Sequence, residues 1–101
     1  MFGRPAARLG DLDVIHCSVP FRAMGSSNVI INGRPASRQG DFNNVHLKPC
    51  PCPPCCCPHA MPIALGSMTV RINGRGAGRI GDGIIACTMV ATGSFNVLIG
   101  G

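Results

Sequence analysis

Three short runs along the chain place apolar residues at alternate positions, and each is led by a Gly-Ser pair. They are Gly25-Ser26-Ser27-Asn28-Val29-Ile30-Ile31-Asn32, Gly66-Ser67-Met68-Thr69-Val70-Arg71-Ile72-Asn73 and Gly93-Ser94-Phe95-Asn96-Val97-Leu98-Ile99-Gly100. Period-two alternation after a tight turn predicts a half-buried strand. It sends Val29/Ile31, Val70/Ile72 and Val97/Ile99 to the core and turns Ile30, Arg71 and Leu98 outward. Two of those three outward residues are apolar, a pattern that suits a surface covered by a partner. Each run ends in Asn-Gly or Gly-Gly, dipeptides suited to the positive φ of a tight turn. No long stretch carries a helical apolar period, and fourteen glycines with nine prolines favour short strands and turns. The expected fold class is all-β.

A nine-residue motif precedes or follows these strands three times: GRPAARLGD at 3–11, GRPASRQGD at 33–41 and GRGAGRIGD at 74–82. Six of its nine positions are identical in all copies, so the chain is built from three equivalent strand-plus-loop units. The last strand has no motif after it and the first motif has no strand before it. Joined in space, Val97 to Gly101 and Phe2-Gly3-Arg4 complete one unit. The chain is therefore expected to close into a ring about a pseudo-three-fold axis with its ends side by side, which also removes exposed strand edges.

A chain of 101 residues with four Phe and no Trp or Tyr buries a modest core, so disulfides, a metal or a partner subunit are expected to contribute. The formal charge of +5 raises nucleic acid as a partner. Six of the nine basic residues, however, are the repeated arginines, and three of the four acids are the repeated aspartates. Arginines forking onto those carboxylates and onto loop carbonyls absorb most of the charge. Arg22, Lys48 and Arg71 remain, with no aromatics among them for bases to stack on, so nucleic-acid binding is not expected. No signal-peptide pattern or bilayer-length apolar stretch is present, which predicts synthesis in the cytoplasm.

The segments from motif to next strand differ in length, and the middle one holds the Cys/Pro-rich insertion 47–62. Its run Cys50-Pro51-Cys52-Pro53-Pro54-Cys55-Cys56-Cys57-Pro58-His59 is too rich in proline for a helix or central strand, so an irregular loop is expected. Five residues past each repeated aspartate stand His16, His46 and Cys87. Equivalent positions converge on a three-fold axis, and His59 has the reach to add a fourth ligand. Three histidines and one cysteine suit a closed, tetrahedral, structural Zn²⁺ site. Cys17, beside His16, and Cys57, two residues before His59, stay open as rival fourth ligands. Seven cysteines is an odd number, which fits metal or free thiols better than a fully paired framework. Cys50, Cys52, Cys55, Cys56 and Cys57 lack regular zinc-finger or iron–sulfur spacing, and disulfides or inert thiols remain open for them.

With its three GRPAAR-type motifs, its Gly-Ser-x-x-Val-x-Ile strands and its His/His/His/Cys set, the chain resembles the PAAR-repeat proteins over nearly its whole length. Pro5-Ala6-Ala7-Arg8 matches the name motif in full and Pro35-Ala36-Ser37-Arg38 with one change, while Gly76-Ala77-Gly78-Arg79 lacks the proline. The resemblance implies a small pseudo-three-fold conical β-domain over 1–101 with no fused effector domain. It implies a membrane-piercing tip whose base caps the trimeric β-helical spike of a type VI secretion system or related contractile phage tail. One zinc near the apex would be held by His16, His46, His59 and Cys87. Ile30 and Leu98 are the candidates for spike docking. Effector proteins and a transiently met target membrane are further implied partners, and the tip would leave the cell or sit in a phage-like particle.

Two other classes compete with this reading. Enzymatic hydrolysis needs a paired acid and base, yet the chain has no Glu and only Asp13 lies outside the repeats, so no catalytic residue is expected. A free-standing metal or redox module would instead use the cysteine loop and bind no spike.

Overall fold

Each motif folds as a tight loop around its own aspartate. In the computed structural model, which describes residues 3–15, 17–50 and 56–101, the backbone N–H groups of Asp11, Asp41 and Asp82 donate to the carbonyls of Arg8, Arg38 and Arg79 at 2.9, 2.9 and 3.1 Å. The third residue of each turn is Gly10, Gly40 or Gly81, at φ 85°, 87° and 88°, as a type II turn requires. Each carboxylate also accepts the backbone N–H, Nε and Nη2 of the arginine three residues before it, all within 2.7–3.1 Å. The charge predicted to be internal is spent in these forks.

A second arginine reaches each aspartate from a neighbouring copy. Arg34 lies 3.5 Å from Asp11, Arg75 lies 3.2 Å from Asp41, and Arg4 lies 3.1 Å from Asp82. The order is cyclic: second copy to first, third to second, first to third. The backbone repeats it. Ala7 N–H donates to Gly78, Gly78 N–H to Ser37, and Ser37 N–H to Ala7, at 2.9, 2.8 and 2.9 Å, a closed circuit of three bonds among equivalent residues. Their side chains are small because the circuit is tight. A Cβ on Gly78 would lie 2.9 Å from the Ser37 carbonyl oxygen.

The strands are short. β1 (Arg4–Pro5), β2 (Ile30–Ile31), β3 (Arg34–Pro35), β4 (His46–Pro49), β5 (Cys56–His59), β6 (Arg71–Ile72), β7 (Arg75–Gly76) and β8 (Leu98–Ile99) pair antiparallel as β1 with β8, β2 with β3, β4 with β5, and β6 with β7. In the β2–β3 and β6–β7 hairpins the turns are Asn32-Gly33 and Asn73-Gly74, all at positive φ. β8 pairs with the first motif just as β2 and β6 pair with the motifs that follow them, so the first and last strands share a ladder. Isolated bridges Ala6 to Arg79, Arg8 to Ala36 and Arg38 to Ala77 join the copies further.

The predicted faces hold. Ile31, Ile72 and Ile99 are buried against Ala6, Ala36 and Ala77, with Val29 and Val97 packed beside them, while Ile30, Arg71 and Leu98 point out. Val70 is more exposed than the alternation implied. A second apolar cluster, Ala7, Ile63, Ile84 and Val90, lies under Met61 and Cys87. Overall the molecule is elongated, 41 × 27 × 24 Å.

At Gly76, where the third copy lacks its proline, a Cβ would come within 2.7 Å of the Ser67 carbonyl oxygen. Close approach of two glycine backbones, Gly66 and Gly76, replaces the proline contact.

The insertion departs from the expected irregular loop. Its two ends form the β4–β5 ladder, with His46 opposite His59, Leu47 opposite Pro58, Lys48 opposite Cys57 and Pro49 opposite Cys56. A two-stranded ribbon tolerates proline because every residue has an edge to turn its missing N–H toward. Among the described residues two disulfides staple it: Cys17–Cys56 and Cys50–Cys57. Replacing Cys17 and Cys56 together by serine is expected to cost about 2–4 kcal/mol of stability, since the bridge closes a loop of 39 residues in sequence. Denaturant unfolding of the two proteins checks this, and an unchanged midpoint would mean that the bridge constrains nothing.

Candidate metal centre

The β4–β5 register explains how two histidines thirteen residues apart meet. His46 and His59 face each other across the ladder, with ring centroids 4.4 Å apart and Nε2 atoms 2.8 Å apart. Cys87 comes from the loop after Asp82, where Ala86 at φ 48° bends the chain and Cys87 N–H bonds the Ile84 carbonyl at 3.0 Å. Its Sγ lies 3.3 Å from His46 Nε2 and 3.5 Å from His59 Nε2.

The two sulfur–nitrogen distances match the edges of a coordination tetrahedron, while the two Nε2 atoms, 2.8 Å apart, lie closer than a shared metal would hold them. Zinc bonds of about 2.0 Å to nitrogen and 2.3 Å to sulfur place ligand atoms roughly 3.3–3.6 Å from one another, and all ligand atoms here fall within 4.8 Å. The tautomer of His46 also suits a metal. A carbonyl can only accept, so Nδ1, 2.8 Å from the Asn44 carbonyl oxygen, carries the proton and leaves the Nε2 lone pair toward the cluster. His46 is buried, while His59 and Cys87 are half-buried. The group His46, His59 and Cys87 could hold a metal ion.

Of the four residues expected to ligate, three are therefore together, and His16 lies outside the described residues. The rivals Cys17 and Cys57 are both engaged in disulfides and present no thiolate. Cys52 and Cys55 lie outside the described residues.

Sequence reasoning missed the polar group below the cluster. Arg22, set aside as one of three basic residues outside the motifs, is wholly buried beside Asp13, Nε to Oδ2 3.6 Å. Burial pushes the Asp13 carboxyl up against the pull of Arg22, and burial lowers Arg22 in turn. Asn43 joins them, its Nδ2 donating to Asp13 Oδ2 at 3.1 Å. The signal that could have found Arg22 was positional: it stands three residues before Gly25, where the other units carry Ile63 and Val90.

Ile30 and Leu98 are 54% and 61% exposed. Met68 and Phe95, which take the residue after each Gly-Ser pair, add exposed apolar surface that the alternation did not single out.

Fold and cluster together define a small all-β domain of cyclically linked repeats with a His/His/Cys group suited to a metal. The family model of the PAAR motif matches residues 1–43, a stretch holding the first two motif copies. Over that stretch the chain is similar to the PAAR-repeat family. No curated protein matches the chain.

Proposed function

We propose that this chain is a structural tip that caps a trimeric β-helical spike in a type VI secretion or phage-like contractile machine. The observation that carries the reading is the cyclic linkage of the three motif copies, which supports a pseudo-three-fold base able to meet a true three-fold trimer. The PAAR-motif match supports the same partner class. Residues 1–101 act as one domain, and the exposed Ile30 and Leu98 face the spike.

At the opposite end His46, His59 and Cys87, with His16 as the fourth ligand, hold one zinc. A bound zinc supplies rigid cross-linking of segments that share little core. The protein's own part is to present the lone pairs: the β4–β5 ladder sets His46 against His59, the Asn44 carbonyl fixes the His46 tautomer, and the disulfides hold β5 in register. The tip carries no catalytic step. It is made in the cytoplasm, assembled on the spike and ejected with it, and it offers its surface to effectors that travel on the spike.

Binding to the trimeric spike tests the reading. One chain per spike trimer is expected by mass measurement of the complex, and Ile30→Glu with Leu98→Glu is expected to weaken binding at least about tenfold, since each places a charge in a buried apolar contact. A protein that binds no spike trimer, or one indifferent to both substitutions, would overturn it.

A further inference from the structure

The repeats make one buried polar group conspicuous. Arg22 is equivalent to Ile63 and Val90, three residues before Gly25, Gly66 and Gly93 respectively. Asp13 is equivalent to Asn43 and Ile84, two residues after Asp11, Asp41 and Asp82. Apolar residues thus fit both positions of this fold, and Ile63, Ile84 and Val90 pack together there. Arg22, Asp13 and Asn43 are nonetheless 0%, 2% and 2% exposed. Burying an ion pair carries a desolvation penalty that an apolar pair of like volume avoids. Here the penalty is poorly offset, because among the described residues none of the three guanidinium nitrogens finds a hydrogen-bond partner. Folding alone gives no reason for the charge.

Asn43 links this group to the metal cluster. Its Oδ1 accepts the Met61 backbone N–H at 2.9 Å, which decides the orientation of the amide. A flipped amide would set its N–H groups against that donor and its oxygen against the Asp13 carboxylate. In the orientation so fixed, the two hydrogens of Nδ2 face two acceptors: Asp13 Oδ2 at 3.1 Å and Cys87 Sγ at 3.7 Å. The sulfur distance is that of an N–H···S contact, longer than a bond to oxygen because sulfur is larger.

The geometry points to Asn43 as a positioning residue that donates a hydrogen bond to the Cys87 thiolate when that thiolate ligates the metal, with Asp13 and Arg22 locking the amide from below. The inference rests on the metal reading given above. A ligating thiolate keeps negative charge on sulfur, which an amide N–H and a nearby guanidinium both stabilise. Outer groups of this kind set the orientation and electron density of the ligand, and their loss commonly costs 10–100-fold in metal affinity. The buried charge then has a purpose that the apolar Ile63, Ile84 and Val90, which pack against Cys87 without a donor to offer it, cannot serve.

The test uses cobalt(II) and cadmium in place of zinc. In Asn43→Leu loaded with cobalt(II), the sulfur-to-cobalt charge-transfer band is expected at longer wavelength than in the native protein, because a thiolate stripped of a hydrogen bond gives up an electron more readily. Zinc affinity is expected to fall about tenfold or more. A purely packing role for Asn43 would not move the band. Should the variant fail to fold, the native protein answers directly: loaded with cadmium-113, it is expected to show scalar coupling between the metal and an Asn43 side-chain amide proton, transmitted through Cys87 Sγ. An unmoved band in a folded variant, or cadmium bound through Cys87 without that coupling, overturns the inference and leaves the metal site standing. A protein that binds none of these metals overturns the metal reading and the inference with it.

Discussion

His46→Ala is expected to abolish tight zinc binding and to lower the melting temperature by roughly 15–30 °C relative to the zinc-loaded protein. Zinc held about a thousandfold above its dissociation constant stabilises the folded state by about 4 kcal/mol, and each kcal/mol moves the midpoint of a domain this size by about 4–8 °C. His46 is the residue to remove because its Nε2 is near both other ligand atoms and its Nδ1 is already fixed by the Asn44 carbonyl. Calorimetry with and without a chelator checks this. The native protein should lose most of the difference on chelation, and the variant should be indifferent to the chelator. Equal chelator sensitivity in both would place the metal elsewhere.

Asp41→Ala is expected to cost about 3–5 kcal/mol, a large share of the 5–15 kcal/mol typical of a folded domain. Asp41 is fully buried and takes the forked Arg38 guanidinium together with Arg75 from the third copy. Its hydrogen bond raises the Arg38 pKa above the usual arginine value, so removing the carboxylate strands a charge that cannot be shed. The loss should exceed that of Arg75→Ala, since Arg75 is half in solvent and its pairing is screened. Denaturant midpoints of the two variants decide the order. Equal costs would mean that the Arg38 fork within the motif adds nothing beyond the cross-copy pairing with Arg75.

What could be read from the chain was local and periodic. The alternation of Val29-Ile30-Ile31 and its two counterparts named the buried isoleucines and the outward Ile30, Arg71 and Leu98 correctly, because a two-residue strand still has two faces. The Arg–Asp forks followed from a fixed spacing of three residues, close enough for one turn to make the pair. Contacts that depend on long-range register were harder. Pro49 and Pro58 disguised the β4–β5 ladder, so the partner of His46 was inferred from the reach of the insertion and not from pairing. The disulfides from Cys50 and Cys17 could not be chosen among seven cysteines by spacing. Arg22 and Asp13 were hidden for another reason: an isolated polar residue at a position whose equivalents are apolar looks like a surface residue until the ring is closed around it.

Elemental analysis of the purified protein, made beside His59→Ala and Cys87→Ala, probes most directly whether a metal locks this end of the molecule. One zinc per chain is expected in the native protein and little or none in either variant. Iron, two metals per chain, or zinc retained by both variants would move the site away from His46, His59 and Cys87 and leave the tip without its lock.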